Sequence, residues 1–216
     1  MYLTYGIIVI TALVSYLAFD RQDLMSRMLL NPYDIVHHKK WYRMFSHGFI
    51  HADFVHLLFN LYVLFMFGVQ GHEIPGFGTV YNSVEPTLVA TYGFQGYFYF
   101  FLLYVGGLLF SSIYTVYKHQ DNPHYNALGA SGAVSGIVFA YMIINPTAEL
   151  GIIILPGISL PAYVFGPLLL ISEYYLSKRG GTNIGHDAHI SGAIFGLVYI
   201  ALLDYNYYIK FFNSIF

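Results

Sequence analysis

A serine among small residues is the first candidate for chemistry in this chain. The stretch NALGASGAVSG runs from Asn126 to Gly136 and places Ser131 at the start of an apolar run. A serine hydroxyl becomes a nucleophile when a positioned base takes its proton. Alone among glycines in a membrane helix, a serine is more often a packing residue, so the choice depends on whether a base lies near it.

Histidine is the side chain that most often serves as this base. His189 stands at the start of another apolar run, HISGAIFGLVYIALL. The sequence shows no Asp or Glu that is clearly placed to orient its ring, so we predict a Ser131–His189 dyad and not a triad. The alternative is an interfacial histidine with no catalytic role.

Two further polar side chains, His56 and Asn60, lie four residues apart and therefore on one helical face. Both can donate side-chain hydrogen bonds. Together with the backbone N–H of Ser131 at a helix N-terminus, they could stabilise a developing oxyanion. The alternative is a hydrogen bond between helices that only stabilises the bundle.

The composition indicates that these residues work in a membrane. The 216 residues are 57% hydrophobic and 9% charged, whereas soluble domains carry roughly 25% charged residues. A net charge of −2 provides no basic surface for nucleic acid, and the lack of cysteine excludes a thiol nucleophile. The first apolar run lacks a basic n-region and a cleavage site, which predicts a retained span and not a signal peptide.

Six apolar runs have the approximate length of a membrane span. Three prolines interrupt the fifth run, for which we expect an irregular or kinked helix. The sequence thus predicts an all-α membrane protein with one six-helix domain over residues 1–216. The runs are about Tyr2–Phe19, Phe54–Gln70, Gly93–Tyr117, Ser131–Ile144, Gly151–Tyr174 and His189–Tyr205.

Alternating spans bring the four candidate residues to one side of the membrane, because spans two, four and six run in the same direction. Small residues at intervals of four also predict that spans four and six pack closely. We therefore expect a seam between these two spans, flanked by Ser131 and His189. Its small residues are Gly132 and Gly136 in span four and Ala188, Gly192 and Gly196 in span six.

The polar segment Asp20–Ala52 is too apolar for a solvated loop. We predict a structured segment in the membrane interface, with Trp41 among its anchors and Arg43 in a structural role.

These residues resemble a known family, the rhomboid intramembrane serine proteases. GASG at Gly129–Gly132 resembles the nucleophile motif, and AHISGAIFG at Ala188–Gly196 resembles the family's AHxxGxxxG. HADFVHLLFN at His51–Asn60 resembles the motif of the second helix, and WYR at Trp41–Arg43 resembles the first-loop signature. The resemblance covers nearly the whole chain.

The resemblance implies a six-transmembrane-helix rhomboid-like bundle with an interfacial first loop. It implies an intramembrane serine endopeptidase with Ser131 as nucleophile, His189 as base, and His56 and Asn60 as oxyanion donors. It implies no metal or organic cofactor, and substrates that are single-span membrane proteins. From it we also expect a multi-pass protein of a bacterial inner membrane.

The chain departs from the family pattern at two sequence positions and in its charges. Eight of its nine Lys and Arg residues fall on the side where the active site opens, and the positive-inside rule would place that side in the cytoplasm, whereas the family opens to the other side. Many members have an aromatic residue four positions after the nucleophile, packed on the catalytic imidazole. That position is Ser135 here, so another group must hold His189. The position of a frequent glutamate on the second helix is His72, and Glu73 follows it.

Two other readings remain open. Ten histidines invite a metal enzyme, with HGFIH at His47–His51 and HDAH at His186–His189 as ligand-like pairs. HxxHH boxes and an HExxH motif are absent, and total metal analysis of purified protein would test this reading. A relative that binds membrane proteins without cutting them is the second, although such relatives generally lack the serine or the histidine.

Overall fold

The structure is a computed structural model that describes residues 2–69, 73–74, 78–79, 83–152, 155–179 and 185–216. Helices dominate this part of the chain, and two short antiparallel strand pairs accompany them. The elements in chain order are α1 (Tyr2–Phe19), α2 (Gln22–Met28), α3 (Pro32–His38), α4 (Arg43–Ser46), a 3₁₀ turn (His47–Phe49), α5 (Phe54–Gly68), β1 (Glu73–Ile74), β2 (Gly78–Thr79), α6 (Val84–Tyr92), α7 (Gln95–His119), α8 (Ser131–Ile144), β3 (Glu149–Ile152), β4 (Leu155–Pro161), α9 (Ala162–Arg179), α10 (His186–Leu203) and α11 (Asn206–Ile215).

Three of the described helices, α1, α7 and α10, are long and apolar enough to cross a membrane. The α4 and 3₁₀ segment with α5 would make a fourth span, bent by 95° at the break. The all-α membrane character is thereby supported, but the predicted count of six spans is not confirmed. With 14 residues, α8 rises only about 21 Å, short of the roughly 30 Å of a bilayer core.

The prediction for the fifth span was wrong in its first half. Glu149–Ile152 and Leu155–Pro161 form the antiparallel pair β3–β4, with Leu150 opposite Leu160, and α9 begins only at Ala162. Proline has no N–H to donate within a helix, and Gly157 within β4 has a φ of +86°, which is not helical. The helix then continues through Pro167 to Arg179.

The segment before α5 is structured, as predicted, and Arg43 holds it together. The guanidinium Nη1 donates hydrogen bonds to the carbonyls of Ser26 (2.9 Å) and Leu29 (2.7 Å) at the end of α2. Nη2 lies 3.1 Å from a carboxylate oxygen of Asp34 in α3. A cation is favourable at a helix C-terminus, so one buried side chain joins α2, α3 and α4. Trp41, the predicted anchor, is 55% exposed.

A buried carboxylate fixes the start of α1. Glu85 of α6 accepts hydrogen bonds from the backbone N–H groups of Leu3 (3.2 Å) and Thr4 (2.8 Å), and from the Thr4 hydroxyl. The first N–H groups of a helix lack partners within the helix and carry partial positive charge. The site explains how a glutamate in an apolar chain can be fully buried.

Helix α8 lies at the centre of the bundle. All but three of its residues are buried, and it packs against α5, α7, α9, α10 and α11. Two of the three, Ser131 and Ser135, lie one turn apart and line a cavity. Neighbouring helices thus surround α8 along most of its length.

The predicted seam between α8 and α10 is confirmed. A Cβ built on Gly192 would overlap the carbonyl oxygen of Gly132, and one built on Gly196 would overlap that of Gly136. A Cβ on Gly136 would lie 3.1 Å from the carbonyl oxygen of Gly192. The two backbones are thus in direct contact over one full helical turn.

Gly196→Ala should lower the melting temperature in detergent, because the added methyl group must push the α8 backbone away. Overpacking of this kind costs about 1–3 kcal/mol. Gly6→Ala in α1 is the matched control, since a Cβ there meets no atom within 4 Å. Equal melting of the two variants would contradict the seam.

Arg43→Ala should reduce the free energy of unfolding by about 1.5–3 kcal/mol, the range for a hydrogen bond to a charged group. Arg27→Ala, an exposed position in the same segment, should change it little. Arg43→Lys should fall between them, because lysine keeps the charge but not the fork of donors. Thermal melting of the three variants checks this, and wild-type stability of Arg43→Ala would show that the anchor lies elsewhere.

Candidate active site

An open cavity of about 1270 Å³ reaches the centre of the bundle. Its walls include Ser131 of α8, His189 of α10, and His56 and Asn60 of α5. All four residues that the sequence singled out therefore face one space. The cavity exceeds the usual 300–1,000 Å³ of a small-molecule pocket.

The backbone before Ser131 is fixed by two hydrogen bonds. The N–H of Gly129 donates to the carbonyl of His47 (3.0 Å), and the N–H of Ala130 donates to Nε2 of His51 (3.3 Å). Gly129 has a φ of +107°, a backbone conformation that residues other than glycine rarely adopt. This turn lets Ser131 begin α8 at the cavity wall.

His51 is a structural residue of the site that the sequence reading took only as a possible metal ligand. Its ring is fully buried, and Nδ1 lies 3.0 Å from the hydroxyl oxygen of Ser15, which itself donates to the carbonyl of Phe49. This pattern assigns the proton to Nδ1 and leaves Nε2 to accept from Ala130. His47 hydrogen-bonds to Ser112 (2.8 Å), so the two imidazoles of HGFIH serve separate partners and do not form a pair.

His56 lies beside the turn that precedes the nucleophile candidate. Asp53 caps α5 by accepting from the backbone N–H of His56 (2.7 Å), and Nδ1 of His56 accepts a long hydrogen bond from Ala52 (3.4 Å). This assigns the ring proton to Nε2, which would lie 3.1 Å from a Cβ built on Gly129. His56 thus has a donor directed at the loop beside Ser131.

Asn60 is buried and bonds back to its own helix. Its Nδ2 donates to the carbonyl of His56 (3.0 Å). An amide nitrogen carries two N–H donors, so this bond occupies one of them. The contact is with the main chain of α5 and leaves one N–H donor of Asn60 for the cavity.

The expectation that no carboxylate orients His189 was wrong. Oε2 of Glu173, in α9, lies 3.2 Å from Nδ1 of His189 and 2.7 Å from Nδ1 of His186. The sequence did hold a signal: Glu173 is the one acidic residue between Gly151 and Tyr174. An ionisable residue in an apolar membrane segment marks a functional site by default.

Ser131 and His189 lie beside one end of the glycine seam between α8 and α10. A Cβ built on Gly132 would lie 3.4 Å from the carbonyl oxygen of Ala188, and these are the neighbours of the two residues. The side chains themselves form no hydrogen bond with each other in the described structure. Catalytic hydrogen bonds are often long without substrate and tighten when it binds.

Glu173, His186 and His189 are also the donor set that could hold a metal. One ligand atom from each lies within 4.8 Å of the other two. Two histidines and a glutamate are a common zinc set. In this structure, however, both Nδ1 atoms already bond to the same carboxylate oxygen, which is the geometry of a hydrogen-bonded network.

Comparison with known proteins identifies the family. The sequence model of the Rhomboid domain matches residues 38–206. The chain belongs to the rhomboid family. This membership, with the apolar helices, supports a membrane protein with transmembrane helices.

The curated relatives are distant. The chain is 28% identical over 153 residues to the presenilin-associated rhomboid-like protein A, mitochondrial, of Danio rerio, covering 71% of this chain and 35% of that protein. It is 23% identical over 195 residues to RHOMBOID-like protein 12, mitochondrial, of Arabidopsis thaliana, covering 83% of this chain and 51% of the relative. A human presenilin-associated rhomboid-like protein is 27% identical over 70% of this chain and 35% of its own length.

The chain thus matches about a third to a half of the length of these relatives. A multi-pass membrane protein is supported. The expected bacterial inner membrane is not borne out, because these relatives are named as mitochondrial proteins.

Proposed function

We propose that this rhomboid protein is an intramembrane serine endopeptidase in which Ser131 is the nucleophile and His189 the general base. One observation carries the proposal: Ser131 and His189 line the same cavity, beside the seam where the backbones of α8 and α10 touch. A serine that served only for packing would not need a cavity, a strained glycine turn before it and an imidazole across from it.

In the proposed reaction, Ser131 Oγ attacks the carbonyl carbon of a peptide bond while Nε2 of His189 takes the hydroxyl proton. The carbonyl oxygen becomes an oxyanion. When the C–N bond breaks, His189 returns the proton to the leaving amine, and an acyl-enzyme ester remains. Water then attacks the ester, His189 accepts and returns its proton, and the carboxylic acid leaves with Ser131 restored.

The oxyanion would be stabilised by the N–H of Ser131 at the start of α8, by Nε2–H of His56 and by the second amide proton of Asn60. The assigned tautomer of His56 supports this role, since its proton lies on the side of the nucleophile turn. Donors fixed by the fold need no reorganisation as the charge develops.

We propose the transmembrane segment of another membrane protein, a single-span one above all, as substrate. The cavity is lined by apolar side chains of α5 and α9 around a polar end, including Phe59, Val63 and Leu169. An apolar segment can lie against these walls while its scissile bond meets the polar residues. The polar end also provides a place for the water that hydrolysis needs.

Ser131→Ala should abolish cleavage of a single-span test substrate in proteoliposomes, because the nucleophile is lost. The melting temperature should not change, because Ser131 is small and lies at the cavity wall. His189→Ala should be equally inactive. Ser135→Ala, one turn further along the same cavity wall, is the matched control and should still cleave. Cleavage by Ser131→Ala well above background would reject Ser131 as nucleophile, and binding of the substrate without cleavage by the wild type would favour a non-cleaving relative.

His56→Ala should lower kcat by about 10²–10³-fold with little change in KM, because an oxyanion donor acts in the transition state. Asn60→Ala should lie at the low end of that range, since one of its donors already serves α5. Melting temperatures measured on the same preparations separate catalysis from bracing. If both variants melt early and keep wild-type kcat, neither residue is an oxyanion donor.

A further inference from the structure

We propose that Glu173 is a positioning residue for His189, so that the catalytic group is a Ser131–His189–Glu173 triad with its carboxylate on α9. This inference rests on the proposed function for its kinetic part only. The contact itself can be measured whether or not the protein cleaves peptide bonds.

The geometry is that of an orienting carboxylate. Oε2 of Glu173 lies 3.2 Å from Nδ1 of His189, and the side chains are 17% and 19% exposed. A carboxylate is only an acceptor when ionised, so the contact requires the proton on Nδ1. The lone pair of the ring then lies on Nε2, the nitrogen that must take the proton of Ser131.

His186 fixes the carboxylate in turn. Its Nδ1 lies 2.7 Å from the same oxygen, and its side chain is only 6% exposed. One oxygen of Glu173 therefore accepts from two ring nitrogens, which restricts rotation of the carboxylate away from His189. The two histidines are three residues apart and lie on one face of α10, while the carboxylate comes from a different helix.

A second polar contact holds α9 in the position that this requires. One turn after Glu173, the hydroxyl of Ser177 donates to Asp187 of α10, and Asp187 also pairs with Lys118 at the end of α7. Three helices thus meet beside the triad. The register of α9 against α10 decides whether His189 has its carboxylate, so the activity of the site depends on the position of α9.

The negative charge of Glu173 beside His189 should affect kcat. An imidazolium forms on His189 in each transition state, and an adjacent carboxylate stabilises it. Removing the carboxylate should therefore affect kcat. Substrate binding along the apolar walls does not use this contact, so KM should be little changed.

The contact is tested first by nitrogen-15 spectra of histidine-labelled Ser131→Ala and Ser131→Ala/Glu173→Gln. We expect His189 to be protonated at Nδ1 in the first protein and to lose this uniform tautomer in the second. Identical His189 signals would overturn the proposal, independently of any protease activity.

The kinetic arm compares variants in a Ser131-dependent cleavage assay. Glu173→Gln should lower kcat roughly 10²-fold and change KM by less than about twofold, and Glu173→Asp should restore part of the loss. Asp121→Asn is the control for the same chemical change, because that carboxylate is 87% exposed. Wild-type kcat in Glu173→Gln would overturn the inference, whereas the lack of Ser131-dependent cleavage in the wild type would count against the proposed function alone.

A metal bound by Glu173, His186 and His189 would also explain a loss of kcat in Glu173→Gln. Treatment of the wild type with a chelator tests this alternative. We expect unchanged kcat and unchanged His189 signals. A fall to the level of Glu173→Gln, with zinc found by metal analysis of the untreated protein, would replace the triad by a metal site.

Discussion

The contact between the backbones of α8 and α10 is the constraint on which the rest of the structure depends. Gly192 and Gly196 lie against the carbonyl oxygens of Gly132 and Gly136, with no side chain between the helices. Because the interior of a protein is close-packed, such a contact allows one register and little adjustment. Ser131 starts α8 and His189 lies in the first turn of α10, both beside this contact, so the packing of main-chain atoms sets their separation.

The surrounding polar groups complete this arrangement from other helices. His51 and His47 hold the turn before Ser131, Asp53 fixes the start of α5, and Glu173 reaches His189 from α9. A polar group without a partner in a low-dielectric interior is costly. Each of these contacts therefore stabilises the fold and orients a group at the cavity.

The parts that the sequence predicted correctly depend on local patterns. Apolar length located α1 and α8 to the residue, and glycines at intervals of four located the seam. The span count and the fifth span were less predictable. A helix surrounded by protein does not need the full bilayer length, and prolines before Ala162 favour a hairpin over a helix. Alternating helix direction predicted that Ser131, His189, His56 and Asn60 lie close together, and all four line one cavity, although the six spans assumed in that argument are not confirmed.

The contact between Glu173 and His189 could not be read from spacing. The two residues are on different helices, and their distance depends on the packing of α9 against α10. The sequence did indicate that a group must replace the aromatic residue absent at Ser135, and it did place an isolated carboxylate in an apolar run. Only the three-dimensional structure joins these two observations.

The central claim is that the fold activates one serine through one histidine, and the most direct measurement is the site of modification by a fluorophosphonate probe. Five serines line the cavity: Ser111, Ser112, Ser131, Ser135 and Ser177. The account predicts that mass spectrometry of the labelled protein finds the adduct on Ser131 alone, and that His189→Ala takes up no label. An adduct on another of these serines, or undiminished labelling of Ser131 in His189→Ala, would contradict it.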